Sequence, residues 1–150
     1  MKAPEFLFAV INPVMKFLLR SPVHGIMSKS IMLITFTGRK SGRQFTTPVR
    51  YIETEGTVRC FTAVENQWWR NLREEAAVTL RINGQDGRYQ ARAIHDDPAA
   101  IRRWLVFYLA LFPQDAAYHE IRLNKDKTLN EADLDKAVQH AIVVEARAAG

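Results

Sequence analysis

Short β-forming runs, each ending on a tight-turn signal, leave this chain few architectures to fold into. Ile31–Thr37 is apolar and β-branched and reads as a buried strand. A glycine-bounded turn follows, Gly38-Arg39-Lys40-Ser41-Gly42-Arg43. Residues 44–53 alternate, with Thr47, Val49 and Tyr51 on one face. Pro48 cannot donate to a ladder, so it marks an edge, a bulge or the end of that strand. Glu55-Gly56 is a hairpin turn before a third strand over 58–64. Asn83-Gly84, a strong hairpin signal, joins strands over 77–82 and 87–95. Residues 140–146 read as the last strand. Six short strands with few helices predict a small antiparallel barrel decorated by helices, mainly β within the α+β class.

The helical signals are local. Residues 67–75 read as a short helix carrying Trp68 and Trp69, with Asn66 as its cap. Asp97-Pro98 opens a helix running to Leu111, with Ile101, Leu105, Tyr108 and Leu109 on one face, and Pro113 stops it. Residues 114–129 are polar and irregular, and 130–139 form another short helix. Upstream, Phe6, Val10, Val14, Phe17 and Leu18 recur at helical spacing. Asn12-Pro13 suits a helix start, so residues 1–22 read as an N-terminal helical segment of the mature protein. Two placements for it stay open. It packs on its own barrel or a second subunit, or it lies on an anionic membrane surface, with Phe6, Leu7, Phe8 and Val10 beside Lys2, Lys16 and Arg20.

The 150 residues suit one domain over 1–150, and 47% hydrophobic with 25% charged residues exclude a disordered chain. No apolar run approaches the roughly 18 residues that span a bilayer. Cys60 is the only cysteine, so no internal disulfide forms, which fits a reducing cytoplasm. It lies in an apolar run and reads as a buried, inert thiol. His24, His95, His119 and His140 stand apart, with no metal-ligand spacing. No serine, histidine and acid are arranged for nucleophilic catalysis, so any chemistry falls to a cofactor.

Charge is distributed unevenly. Between Glu5 and Glu53 there is no acidic residue, while Lys16, Arg20, Lys29, Arg39, Lys40, Arg43 and Arg50 all fall there. In the turn, Gly38 and Gly42 permit positive φ, so backbone N–H groups can converge into an anion-binding nest. Arg39, Lys40 and Arg43 can add charge-assisted bonds, and Ser41 a hydroxyl. The turn has neither the Walker spacing nor the frame of a nucleophile elbow. On these residues alone, an anion site and a solvated basic hairpin remain equally open. Trp68 and Trp69 are neighbours and cannot share a helix face, so one packs inward while the other offers a flat face to a ring system. The strands lack the aromatic stripe of a nucleic-acid-binding barrel, so no nucleic-acid partner is expected.

Three motifs in order carry a resemblance: Leu33 to Arg43, then Thr47-Pro48 with Tyr51, then Trp68-x-x-Asn71-Leu72. Together they resemble the deazaflavin (coenzyme F-420)-dependent nitroreductase and quinone reductase family, over roughly residues 21–92 and more weakly to Tyr118. The resemblance implies a split β-barrel related to FMN-binding oxidoreductases. It implies hydride transfer from reduced coenzyme F-420 to a small quinone, enone or nitroaromatic. Arg39, Lys40, Ser41, Gly42 and Arg43 would hold the anionic tail, and Thr47, Pro48 and Val49 would line the ring. Trp68 would lie nearby, Asn71 would support the helix, and Tyr118 would be the phenol near the substrate. Active members carry a lysine-containing loop after the third strand, where this chain has Thr62-Ala63-Val64-Glu65. That departure keeps a second reading open, a non-catalytic barrel binding FMN or another flavin, haem or an apolar ligand. Related barrels commonly dimerise, so monomer and homodimer are both open.

Overall fold

The computed structural model describes residues 31–149, and the N-terminal helical segment expected over 1–22 lies outside them. Six strands follow in order: β1 (Ile31–Thr37), β2 (Gln44–Thr54), β3 (Thr57–Ala63), β4 (Ala76–Ile82), β5 (Gln85–Ile94) and β6 (Ala141–Ala148). They close into an antiparallel barrel in the spatial order β1-β2-β3-β6-β5-β4, with β4 returning to β1. Closure pairs every strand on both sides over part of its length, which limits the edges that would otherwise template pairing with other chains. The turns that make this possible sit where left-handed backbone is needed: Glu55 and Gly56, then Asn83 and Gly84, all have positive φ.

Alternation along the strands builds two cores. Met32, Ile34 and Phe36 of β1 point into the barrel with Val58, Cys60, Val78, Leu80, Ile142 and Val144, and small Ala91, Ala93 and Ala146 complete the packing. Val49 and Tyr51 of β2 pack against the same cluster, as their alternation predicts. On the outer face, Ile52, Phe61, Ile94 and Val143 meet α1 (Pro98–Leu111) through Ile101, Leu105, Tyr108 and Leu109. Phe61 stacks on Tyr108 with ring centroids 4.3 Å apart. The start of α1 follows the sequence signal, because Asp97 accepts a hydrogen bond from the Ala100 N–H and Pro98 holds the first turn. In α2 (Glu131–Val138), Asn130 caps the Asp133 N–H. Arg102 of α1 ties the two helices through Glu131 and Asp135. No described helix is long and apolar enough to cross a membrane.

Three local expectations are corrected. The tryptophan segment is a five-residue 3-10 helix, Trp68–Leu72, rather than a helix over 67–75. Asn66 does not cap it, because the Asn66 amide is buried and donates instead to Thr62 Oγ1 at 2.8 Å. Pro113 ends α1 but also opens a second 3-10 helix, Pro113–His119, in a stretch read as irregular. The polar residues there have a partner far along the chain. Arg50 donates to Asp115 at 2.6 Å, and the Tyr108 hydroxyl donates to the same carboxylate at 2.6 Å.

Strand β2 changes partner partway along. Gln44 to Arg50 pair with β1, and only Tyr51 to Thr54 pair with β3. Pro48 falls in the half whose other flank carries no ladder to a described strand. Its missing N–H is tolerated there, which is the edge reading of that proline.

Candidate functional site

The basic turn between β1 and β2 is a closed hairpin loop. The Gly38 N–H donates to the Arg43 carbonyl at 2.7 Å, and the Gly42 N–H to the Gly38 carbonyl at 2.8 Å. Gly42 takes φ +72°, which a side chain would resist, whereas a Cβ on Gly38 would lie 2.8 Å from the Phe45 ring. The Arg43 N–H donates to Ser41 Oγ, and the Arg39 N–H to Asn71 Oδ1 at 2.9 Å. Four of the six amides are therefore engaged within the protein. Closing the loop uses these amides and leaves only those of Lys40 and Ser41 for a backbone nest, so side chains supply most of the loop's capacity to meet an anion.

Asn71 fixes this loop in space. It accepts from Arg39 through one side-chain atom and donates through the other to the Trp68 carbonyl at 2.9 Å. One amide thus joins the turn to the 3-10 helix 32 residues away. Between the two lies a groove of about 230 Å3 lined by Gly38, Arg39, Lys40, Ser41, Phe45, Gln67, Arg70 and Asn71. Arg39 and Lys40 are exposed, make no ion pair with any described residue, and stand on one wall with no carboxylate in the lining. Arg43 leans over the Phe45 ring at 5.6 Å, outside the lining. The groove is smaller than the ~300–1,000 Å3 of a site that swallows a whole drug-sized ligand.

The remaining nominated residues lie around it. Trp69 is the inward tryptophan, 2% exposed, with its indole N–H donating to the Val64 carbonyl at 3.3 Å. Trp68 is half-buried and faces Phe36 at 5.6 Å between centroids, so it is the indole with a face left to offer. Thr47 pairs with Ile34 and Val49 with Met32, which places both on the barrel-interior side, while Pro48 opposite Leu33 turns to the other face. Three consecutive strand residues cannot meet a flat ring with side chains from one face. They can meet it along the strand's backbone edge, since β2 in that half pairs with no second described strand.

Tyr118 sits on the second 3-10 helix, away from the groove lining. Burial raises its phenol pKa most, a hydrogen bond from Asn66 lowers it, and Glu65 and Asp115 raise it further. Asn66 in turn bonds Thr62, so Tyr118 is tied to the end of β3. The segment Thr62-Ala63-Val64-Glu65 brings no cation of its own. Its Val64 carbonyl instead receives Trp69 and, at 3.5 Å, Arg70. A second, larger cavity of about 700 Å3 opens among Pro113, Gln114, Ala117, Glu120 and Arg122, and contains none of the nominated residues. Two groups here are not legible in the sequence, Arg70 and the Arg50–Asp115–Tyr108 cluster. Neither has a local motif, and each is defined by a fold contact.

A closed six-stranded antiparallel barrel, with a groove at one hairpin lined by cations and no carboxylate, defines a split-barrel protein. A sequence model described as "F420H(2)-dependent quinone reductase" matches residues 19–126, and the chain belongs to that family. Solved structures with the same fold include a protein of unknown function, Atu2129 from Agrobacterium tumefaciens (16% identity, TM-score 0.55, covering 89% of this chain and 57% of that one). A second is a nimC/nimA family protein from Clostridium acetobutylicum (12%, TM-score 0.51, 89% and 81%). A third, described as a domain-swapped dimer, aligns at 16% identity and TM-score 0.52, covering 91% and 97%. No curated protein matches. Family membership makes coenzyme F-420 the cofactor and the chain an F-420-dependent reductase of small molecules. The donor set fits that group, since Arg39 and Lys40, in no ion pair with a described residue, line a groove that holds no carboxylate.

Proposed function

We propose that this reductase acts on a small quinone, enone or nitroaromatic, and that its cofactor is oriented by the hairpin loop. Arg39, Lys40 and Arg43 neutralise the tail, with Ser41 as a polar contact and Gly42 permitting the loop's shape. Asn71 holds the loop at a fixed distance from Trp68. The edge of β2 at Thr47, Pro48 and Val49, which pairs with no second described strand, borders the ring, Trp68 presents its face to it, and Tyr118 stands toward the acceptor. When bound, the reduced deazaflavin supplies the hydride. The protein's own part is to bind, orient and exclude water.

The observation that carries this reading is the groove between the loop and the Trp68 helix, with Arg39 and Lys40 on its loop wall and neither in an ion pair with a described residue. The test is titration with oxidised and reduced coenzyme F-420 while following tryptophan fluorescence. Re-oxidation of the reduced form is then followed after adding a quinone, an enone or a nitroaromatic. Quenching with saturation, followed by acceptor-dependent re-oxidation, is expected. No quenching at tens of micromolar cofactor sinks the proposal. Binding without re-oxidation by any acceptor replaces it with a carrier barrel.

A further inference from the structure

We infer that Arg70 is a further cation of the groove and takes an oxyanion of the bound cofactor, a phosphate or a carboxylate; this rests on the reading above. Arg70 occupies an unspecified position of the Trp68-x-x-Asn71 segment, so no motif nominates it. Its guanidinium has five N–H donors. Its one side-chain hydrogen bond to a described residue goes from Nη2 to the Val64 carbonyl at 3.5 Å, beyond the usual range for such bonds. Nε is buried with no partner. The group makes no ion pair with a described residue and otherwise lies over the Trp69 ring at 4.9 Å.

A guanidinium this poorly satisfied beside a groove gains most from a planar, doubly accepting anion. Arg70 lines the helix wall of the groove, and Arg39 and Lys40 line the loop wall. The spacing of the walls is fixed one residue away, where Asn71 accepts the Arg39 N–H. Cations from two separate elements are thus held facing one space before any ligand arrives. Turning from Val64 forfeits one long bond and part of the contact with the Trp69 ring, both weak beside a charge-assisted pair with an oxyanion. Arg73 is the internal contrast. It stacks on the same indole at 5.3 Å but does not line the groove.

The experiment compares wild type, Arg70→Gln, Arg70→Lys and Arg73→Gln by equilibrium fluorescence titration. Three probes are used: intact coenzyme F-420, its phosphorylated chromophore without glutamates, and the bare chromophore nucleoside. Arg70→Gln should weaken intact cofactor by about tenfold or more, the scale of a lost charge-assisted bond. It should leave the bare chromophore within about twofold, with Arg70→Lys retaining more affinity than Gln and Arg73→Gln unchanged. A loss already complete with the phosphorylated chromophore assigns Arg70 to the phosphate; a loss confined to intact cofactor assigns it to the carboxylates. Equal binding by Arg70→Gln, an equal loss in Arg73→Gln, or an equal loss on the bare chromophore overturns the inference alone. Failure of wild type to bind any probe overturns the functional reading with it.

Discussion

Replacing Asn71 with alanine tests whether the groove is held together as described. The substitution removes two hydrogen bonds of 2.9 Å, one accepted from the Arg39 N–H and one donated to the Trp68 carbonyl. Each is worth about 1 kcal/mol net. The Arg39 amide is exposed and can turn to water, so its share falls at the low end, and the sum comes to about 1–2 kcal/mol. For a chain of this length that lowers Tm by about 2–8 °C. The assay is thermal unfolding by circular dichroism, paired with the cofactor titration. Asn71→Asp separates the two bonds, because a carboxylate still accepts from Arg39 but cannot donate to Trp68. It should therefore lose less stability than alanine. Its negative charge beside Arg39 and Lys40 should nonetheless weaken cofactor binding more than its stability suggests. If alanine is neutral in stability and in binding, the loop and the helix are positioned independently and the strut account is wrong.

Gly42→Ala should cost about 1–2 kcal/mol in denaturant unfolding, from φ +72° alone, since no atom lies within 4 Å of the added Cβ. Burial pushes the Cys60 thiol up to about 12. Native protein should therefore resist alkylation at pH 8, while the same protein in urea reacts readily. The sign of the pH effect follows. Above about pH 9 the unfolded chain loses this proton while the folded chain keeps it. Stability then falls with rising pH at up to about 1.4 kcal/mol per unit until the folded thiol ionises. Cys60→Ala should flatten that fall between pH 9 and 10, as read from urea midpoints; an unchanged slope refutes it. Arg50→Ala, Asp115→Ala and the double mutant should show a coupling of about 1–3 kcal/mol in unfolding free energy, and strict additivity would show the 2.6 Å pair does not pin the second 3-10 helix.

Legibility in the sequence tracks how local each cause is. The helix Pro98–Leu111 is readable end to end because Asp97, Pro98 and Pro113 are neighbours of the ends they set. β1 is readable because seven β-branched and apolar residues stop at a glycine. Pro113–His119 was not readable, since Pro113, Gln114 and Asp115 show no helical period. The segment is held by Arg50, 65 residues upstream of Asp115, and by Tyr108. Asn66 has the type and place of a cap, but Thr62 gives its amide a buried partner. At the site, the charges of the turn were visible and the wall facing them was not. The sequence suggests a nest from Gly38 and Gly42, yet their amides close the loop on itself. Arg70 enters only through a fold contact that brings the 3-10 helix against the turn.

The partner change along β2 has a consequence for how the site keeps its shape. A one-residue slip of this strand against β1 would carry Thr47 and Val49 outward and Pro48 inward. The same slip would drag Ile52 out of its bed under the outer helices and shift the ladder of Tyr51 and Glu53 with β3. Each half of the strand therefore acts as a detent for the other. Substitutions that loosen the far end, around Ile52, should disturb alignment beside the cationic loop without touching it.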